Sequence, residues 1–226
     1  MQRQIRIPGI RWLRELRPHV LLREWFDFDG FNESRYIHLD NAISFSDGAF
    51  LSTAVNLIRE GLKEPFDITD DITIPIDRYD VVETLWRFGT NPSAALSTNG
   101  VVTIGGFFSG HRKGFTNTLT AKAGATWAAA LRFSYDDVDL PEGSFQTTLV
   151  GLRVAYSFTP RIFLQSLLQY NNQRDEFSGN VRFGWLDTAG TGLFLVFNNV
   201  HQTARPTGPV DRAFVVKFTR QLNVLR

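Results

Sequence analysis

Between Leu140 and His201 the chain changes from apolar to polar and back at every second residue, four times in succession. Val150, Leu152, Val154, Tyr156 and Phe158 alternate with Leu149, Gly151, Arg153, Ala155 and Ser157. Ile162, Leu164, Leu168 and Tyr170 alternate with Gln165, Gln169 and Asn171, and Val181, Phe183 and Trp185 with Asn180, Arg182 and Gly184. The fourth run, Leu193, Leu195 and Phe197 against Phe194, Val196 and Asn198, is apolar on both phases. Successive side chains on a strand point to opposite faces, so each run is a strand with one greasy face and one mostly polar face. Thr159-Pro160-Arg161, Asn171–Ser178 and Asp187–Thr191 separate the runs as turns or loops.

The same period extends over the rest of the chain. Gly9–Phe26 is a candidate strand whose Pro18 marks an edge, a bulge or a break, because proline donates nothing to a ladder. Tyr36–Phe45 and Leu51–Leu57 flank Asp47-Gly48, a strong hairpin signal. Glu60–Tyr79 reads as a long acidic connector, His111–Gly114 as a basic loop, Asp136–Gly143 as an acidic loop and Arg205–Asp211 as a Pro/Gly loop. About twelve strands of roughly ten residues result, the length of a tilted membrane strand and longer than the usual soluble one. Connectors broadly alternate long and short, as the two ends of an outer-membrane barrel require. The expected fold is therefore an all-β, antiparallel transmembrane β-barrel of about twelve strands, closed alone or part of a larger barrel, with residues 1–226 as one domain.

A net charge of +1 leaves no electrostatic footprint for nucleic acid. The absence of cysteine removes disulfides and thiolate metal sites. No apolar run approaches the roughly 18–20 residues of a membrane helix. Twenty phenylalanines beside modest hydropathy suit a barrel facing lipid. The start, Met1-Gln2-Arg3-Gln4, has no apolar leader, so an outer-membrane location expects a signal upstream and a longer protein of which this is the C-terminal portion.

Six motifs carry a resemblance: Val138-Asp-Leu-Pro-Glu-Gly143, Leu149-Val-Gly-Leu-Arg-Val-Ala-Tyr-Ser-Phe-Thr-Pro-Arg161, Leu168-Gln-Tyr-Asn-Asn172, Asn180-Val-Arg-Phe-Gly-Trp185, Leu193-Phe-Leu-Val-Phe-Asn198 and Phe214-Val-Val-Lys-Phe-Thr219. In this order they resemble the C-terminal region of an uncharacterised bacterial family that joins a family-nine-type carbohydrate-binding module to an outer-membrane β-barrel. The resemblance implies a barrel, an outer-membrane location, and as partners the lipid and lipopolysaccharide of that membrane and the barrel-insertion machinery. It implies no catalytic residue. The carbohydrate-binding module lies outside this chain, so sugar is a partner only through that module. The last residues, Asn223-Val-Leu-Arg226, depart from the aromatic ending of such barrels.

Candidate site residues follow from the polar faces. Arg87, Lys122, Arg132, Arg153, Arg182 and Lys217 fall there with Glu83 as the one carboxylate. Either they line a passage that favours anions, or they pair with inward-folded acidic loops and plug it. Asp27, Asp29 and Glu33 around Gly30 lack the full calcium-loop pattern and read as a solvated loop. His19, His38, His111 and His201 are scattered, with no metal-site spacing, and no cofactor is expected. Gly105-Gly106 suggests a bend or close packing. Trp12, Trp25, Trp86, Trp127 and Trp185 with Tyr36, Tyr79, Tyr135, Tyr156 and Tyr170 are expected to form interfacial girdles. The competing expectation is a soluble β-rich carbohydrate-binding or hydrolase-associated domain, in which those aromatics would stack on sugar.

Overall fold

The computed structural model describes residues 1–187, 190–202 and 211–221. The described elements are all β: β1 Leu13–Phe26, β2 Asn32–Phe45, β3 Phe50–Gly61, β4 Phe66–Thr69, β5 Ile72–Ile74, β6 Arg78–Gly89, β7 Leu96–Phe107, β8 Gly110–Ala123, β9 Trp127–Leu140, β10 Gly143–Thr159, β11 Ile162–Asn171, β12 Glu176–Leu186, β13 Gly192–Gln202 and β14 Asp211–Thr219. Twelve of them form one antiparallel meander in the order β1-β2-β3-β6-β7-β8-β9-β10-β11-β12-β13-β14, and β4 and β5 form a separate hairpin. β1 and β14 end this order, and no ladder joins them among the described residues. The Pro/Gly loop expected at Arg205–Asp211 falls almost wholly outside the described residues, as do part of the Asp187–Thr191 turn and the ending Asn223–Arg226.

The chain divides into two compact units. The first comprises Met1–Pro92, Thr98–Asn117 and Tyr135–Gln146, the second Ser93–Ser97, Thr118–Ser134 and Thr147–Arg226. In the first unit β1 starts later than expected, at Leu13, and runs unbroken through Pro18 opposite Asn41. The carbonyl of Pro18 accepts from the Arg3 amide, on the side away from β2. The N and C=O of one strand residue share a side, so the missing donor is lost from the outer edge and the β1–β2 ladder is intact. Residues 1–5 lie along that edge, with bridges Gln2–His19 and Ile5–Leu16.

Asp47-Gly48 makes the β2–β3 turn: Gly48 has φ +92°, and Asp47 Oδ1 accepts from the Ala49 amide at 2.9 Å. The Glu60–Tyr79 stretch is not a plain connector. Its middle folds as the β4–β5 hairpin, which supplies Ile72 and Ile74 to the main buried apolar cluster of the described residues, with Tyr79, Val138 and Leu140. Acidic residues there had masked two β-branched residues spaced for one face. His111–Gly114 likewise lies within β8 and Asp136–Leu140 within β9, so that of the expected acidic loop only Pro141-Glu142 is a turn, before Gly143 opens β10. Arg112 of β8 and Asp136 of β9 pair at 2.6 Å, so opposite charges that read separately as solvated loops neutralise one another across neighbouring strands. Gly105 and Gly106 serve close packing: an added Cβ would lie 2.4 Å from Glu83 Cα and 2.7 Å from Val81 Cβ.

In the second unit β10 to β14 pair in the phase the alternation demands. Val154, Ser166, Val181, Phe197 and Phe214 lie in one cross-strand row. Leu167, Asn180, Asn198 and Ala213 continue the row from Arg153 on the opposite face. The sidedness of the fourth run, ambiguous in composition, is thus fixed by its partners.

Candidate functional site

The first unit has a polar face built from alternate residues of β1, β2, β3 and β6. Cross-strand registers place His38 opposite Asn56 and Asn56 opposite Glu83, while His19 lies opposite Asp40. Asn56 is 2% exposed and is the hub of this face. Its Nδ2 donates to Glu83 Oε1 at 2.9 Å, and its Oδ1 accepts from Tyr36 OH at 3.0 Å and from His38 Nδ1 at 2.6 Å. His38 Nε2 lies 3.5 Å from Asp40 Oδ2, and His19 Nδ1 lies 3.4 Å from Asp40 Oδ1. Next along the face is a cavity of about 270 Å³, lined by Gln2, Arg17, His19, Asp40, Ser52 and Arg87 among others. Glu15 is also buried here, between Arg6 at 3.6 Å and Arg17 at 3.5 Å.

The opposite face of these strands is apolar and open. Leu22, Ile37, Leu57 and Val82 form one row, and Val20, Leu39, Val55 and Thr84 the next. Val20, Leu22, Leu39, Val82 and Trp86 are exposed, while Ser52, His38 and Asn56 on the polar face are buried. The apolar rows stop at one row of charge, Glu24, Arg35, Arg59 and Asp80. Arg59 Nε meets Asp80 Oδ1 at 2.7 Å and Arg35 reaches the same oxygen at 3.5 Å.

The second unit has basic recesses. Arg153 and Arg182 line one of about 250 Å³ with Ala155, Gln165, Leu167 and Asn180. Arg132 and Arg174 line another of about 260 Å³ with Gln169, Glu176 and Ser178. The Arg182 guanidinium also sits over the Phe194 ring, 4.6 Å from its centroid. Lys217 is opposite Phe194 in β14, and Lys122 is in β8, its amide donating to the Ala95 carbonyl at 2.7 Å. Arg87 and Glu83 belong to the first unit. Among the described residues none of Arg87, Arg132, Arg153, Arg182 and Lys217 is in a salt bridge.

Two sequence readings change. His19 and His38 are not isolated: with Asp40 they bring three ligand-type atoms within 4.8 Å of one another. The available signal was His38-x-Asp40, two residues apart on a strand and so on one face; the β1–β2 register that adds His19 was not legible. Tyr36 belongs to the polar network, and Tyr79 is buried with its hydroxyl donating to the Pro75 carbonyl at 2.8 Å, so neither is a girdle residue. The Asp27 loop is tied by its own chain: Asp27 Oδ1 accepts from the amides of Asp29 and Phe31, and Lys63 pairs with Asp27.

Comparison of the chain with family models, with curated proteins and with solved structures gave no match in any of the three.

Proposed function

We propose that this chain is an outer-membrane β-barrel whose polar face borders an aqueous passage that favours anions. The observation carrying this reading is the inverted partition of polarity. A sheet folded in water buries its apolar face, whereas a membrane barrel turns that face to lipid and keeps a polar interior. In the first unit Asn56, His38 and Ser52 are buried, while Leu22, Val82 and Trp86 on the alternate face are about half exposed. The charged row Glu24-Arg35-Arg59-Asp80 supports an interfacial boundary for the apolar band. The exposed Phe214, Val216 and Phe218 of β14 support lipid contact too, because an apolar end strand in water invites aggregation. Arg87, Arg132, Arg153 and Arg182, in no salt bridge among the described residues, favour passage over plugging. The resemblance to the family with an upstream carbohydrate-binding module adds a second role, the anchoring of such a module.

The test is refolding into detergent, followed by electrophoresis with and without boiling. A mobility shift lost on boiling is expected, and planar-bilayer recording of the refolded chain should then give an anion-preferring conductance. A chain that is soluble and folded without detergent, and shows no shift, would overturn the membrane reading. Cation preference or a closed bilayer would overturn the passage.

A further inference from the structure

We propose that His19, His38 and Asp40 form a site for a divalent transition-metal ion of the zinc class. Because Asn56 Nδ2 donates to the Glu83 carboxylate at 2.9 Å, Asn56 Oδ1 is an acceptor. His38 Nδ1 lies 2.6 Å from that oxygen and therefore donates to it. His38 Nε2, on the other side of the ring, faces Asp40 Oδ2 at 3.5 Å, on the polar face where His38 is buried. A cation held between an imidazole nitrogen and a carboxylate oxygen is attracted by both.

The spacing fits a metal better than a proton. At 3.4 and 3.5 Å, the His19–Asp40 and His38–Asp40 separations exceed ordinary hydrogen bonds. Zinc bonds of about 2.0–2.1 Å in tetrahedral geometry place neighbouring ligand atoms about 3.3–3.4 Å apart. Asp40 Oδ1 is buried and has no hydrogen-bond partner, a polar atom lacking its counterpart. The support behind the ligand is also that of a metal site. A ligating histidine usually gives its other N–H to a fixed acceptor, which orients the ring and raises its basicity. Asn56, itself held by Glu83 and Tyr36, does this for His38.

Two imidazoles and a carboxylate select zinc, nickel or copper over calcium or magnesium, which prefer oxygen alone. Three protein ligands leave a fourth position, as in sites that exchange a bound molecule. His19 and Asp40 border the cavity of about 270 Å³ that also holds Arg17 and Arg87, so water or a small anion fills that position. The inference is independent of the membrane reading, because the site lies within one unit and needs only the β1–β2–β3–β6 register.

The test titrates Zn²⁺ into the full folded chain, first stripped with a chelator, against a chromogenic competitor. One ion per chain with sub-micromolar affinity is expected, with Mg²⁺ unable to displace it. His19→Gln, His38→Gln and the nearly isosteric Asp40→Asn should each weaken binding at least 100-fold, and Asn56→Ala by about 10–100-fold. The double variant His111→Gln, His201→Gln should bind as the parent does. Circular dichroism of each variant separates loss of ligand from loss of fold, and Asp40→Asn keeps shape and size. Absence of binding tighter than about millimolar in the folded parent, or unchanged affinity in folded Asp40→Asn and the two histidine variants, would overturn the proposal.

Discussion

Replacing Val55 with arginine asks the apolar face what solvent it meets. Val55 lies in mid-β3, between Leu39 and Thr84 on the neighbouring strands. Four residues separate it from Arg59 in the charged row, about 14 Å at ~3.4 Å per residue, or about 10 Å in depth for a strand tilted by ~40°. Five residues separate it from Phe50 at the other end, about 13 Å in depth by the same conversion. Val55 is thus near the middle of a band about 25 Å tall. It borders a groove of about 390 Å³ lined by Val20, Leu39, Thr53 and Trp86 among others, so a longer side chain enters without overpacking. In lipid the expected loss is about 2–4 kcal/mol, a ~30- to ~700-fold shift of the folding equilibrium. In water an exposed position tolerates the change within about 0.5 kcal/mol. Urea unfolding in lipid vesicles, followed by tryptophan fluorescence, measures the difference. Leu57→Arg, two residues closer to the charged row, should cost less, because the penalty falls toward the interface. Equal costs at the two positions, or a Val55→Arg cost under about 0.5 kcal/mol, would refute a lipid-facing band.

Asn56→Leu removes the hub of the polar face and strands Tyr36 OH, His38 Nδ1–H and Glu83 Oε1; a loss of at least about 3 kcal/mol is expected in the same unfolding assay, since each unsatisfied buried group costs about 1–3. Ile74→Ala, at a side chain with no exposure, should cost about 2–5 kcal/mol, expressed locally as faster proteolysis between β3 and β6 with the main-sheet circular dichroism unchanged. Arg153→Glu with Arg182→Glu reverses two of the charges in one recess, and the reversal potential under a KCl gradient should move toward cation preference; an unmoved potential would place the conducting path elsewhere.

How far the sequence reaches can be judged from particular residues. Period-two alternation in β10 to β14 fixed which residues share a face, because strand geometry alone decides it. Asp47-Gly48 declared its hairpin because the turn needs φ > 0 and few residues accept it. Charge misled at Arg112 and Asp136: a charged residue suggests solvent until its neighbour across the sheet is known. The β4–β5 hairpin was hidden for the same reason, its buried Ile72 and Ile74 lying among aspartates. For the polar faces, Glu83 and the arginines were legible one strand at a time. Their distribution, with Arg87 beside His19 and Asp40 and Arg153 beside Arg182, was not.

The amino-acid pattern by itself determined an all-β antiparallel chain of about twelve long strands, each with a polar and an apolar side. These are local consequences of side-chain period and turn chemistry. Only the tertiary structure decided which side is buried, that the long acidic connector holds a packed hairpin, and that His19, far along the chain from Asn56 and Glu83, joins one network with them through His38 and Asp40. The reason is physical: such contacts depend on the register between strands, and register is set by ladders, turns and bulges together rather than by any one segment.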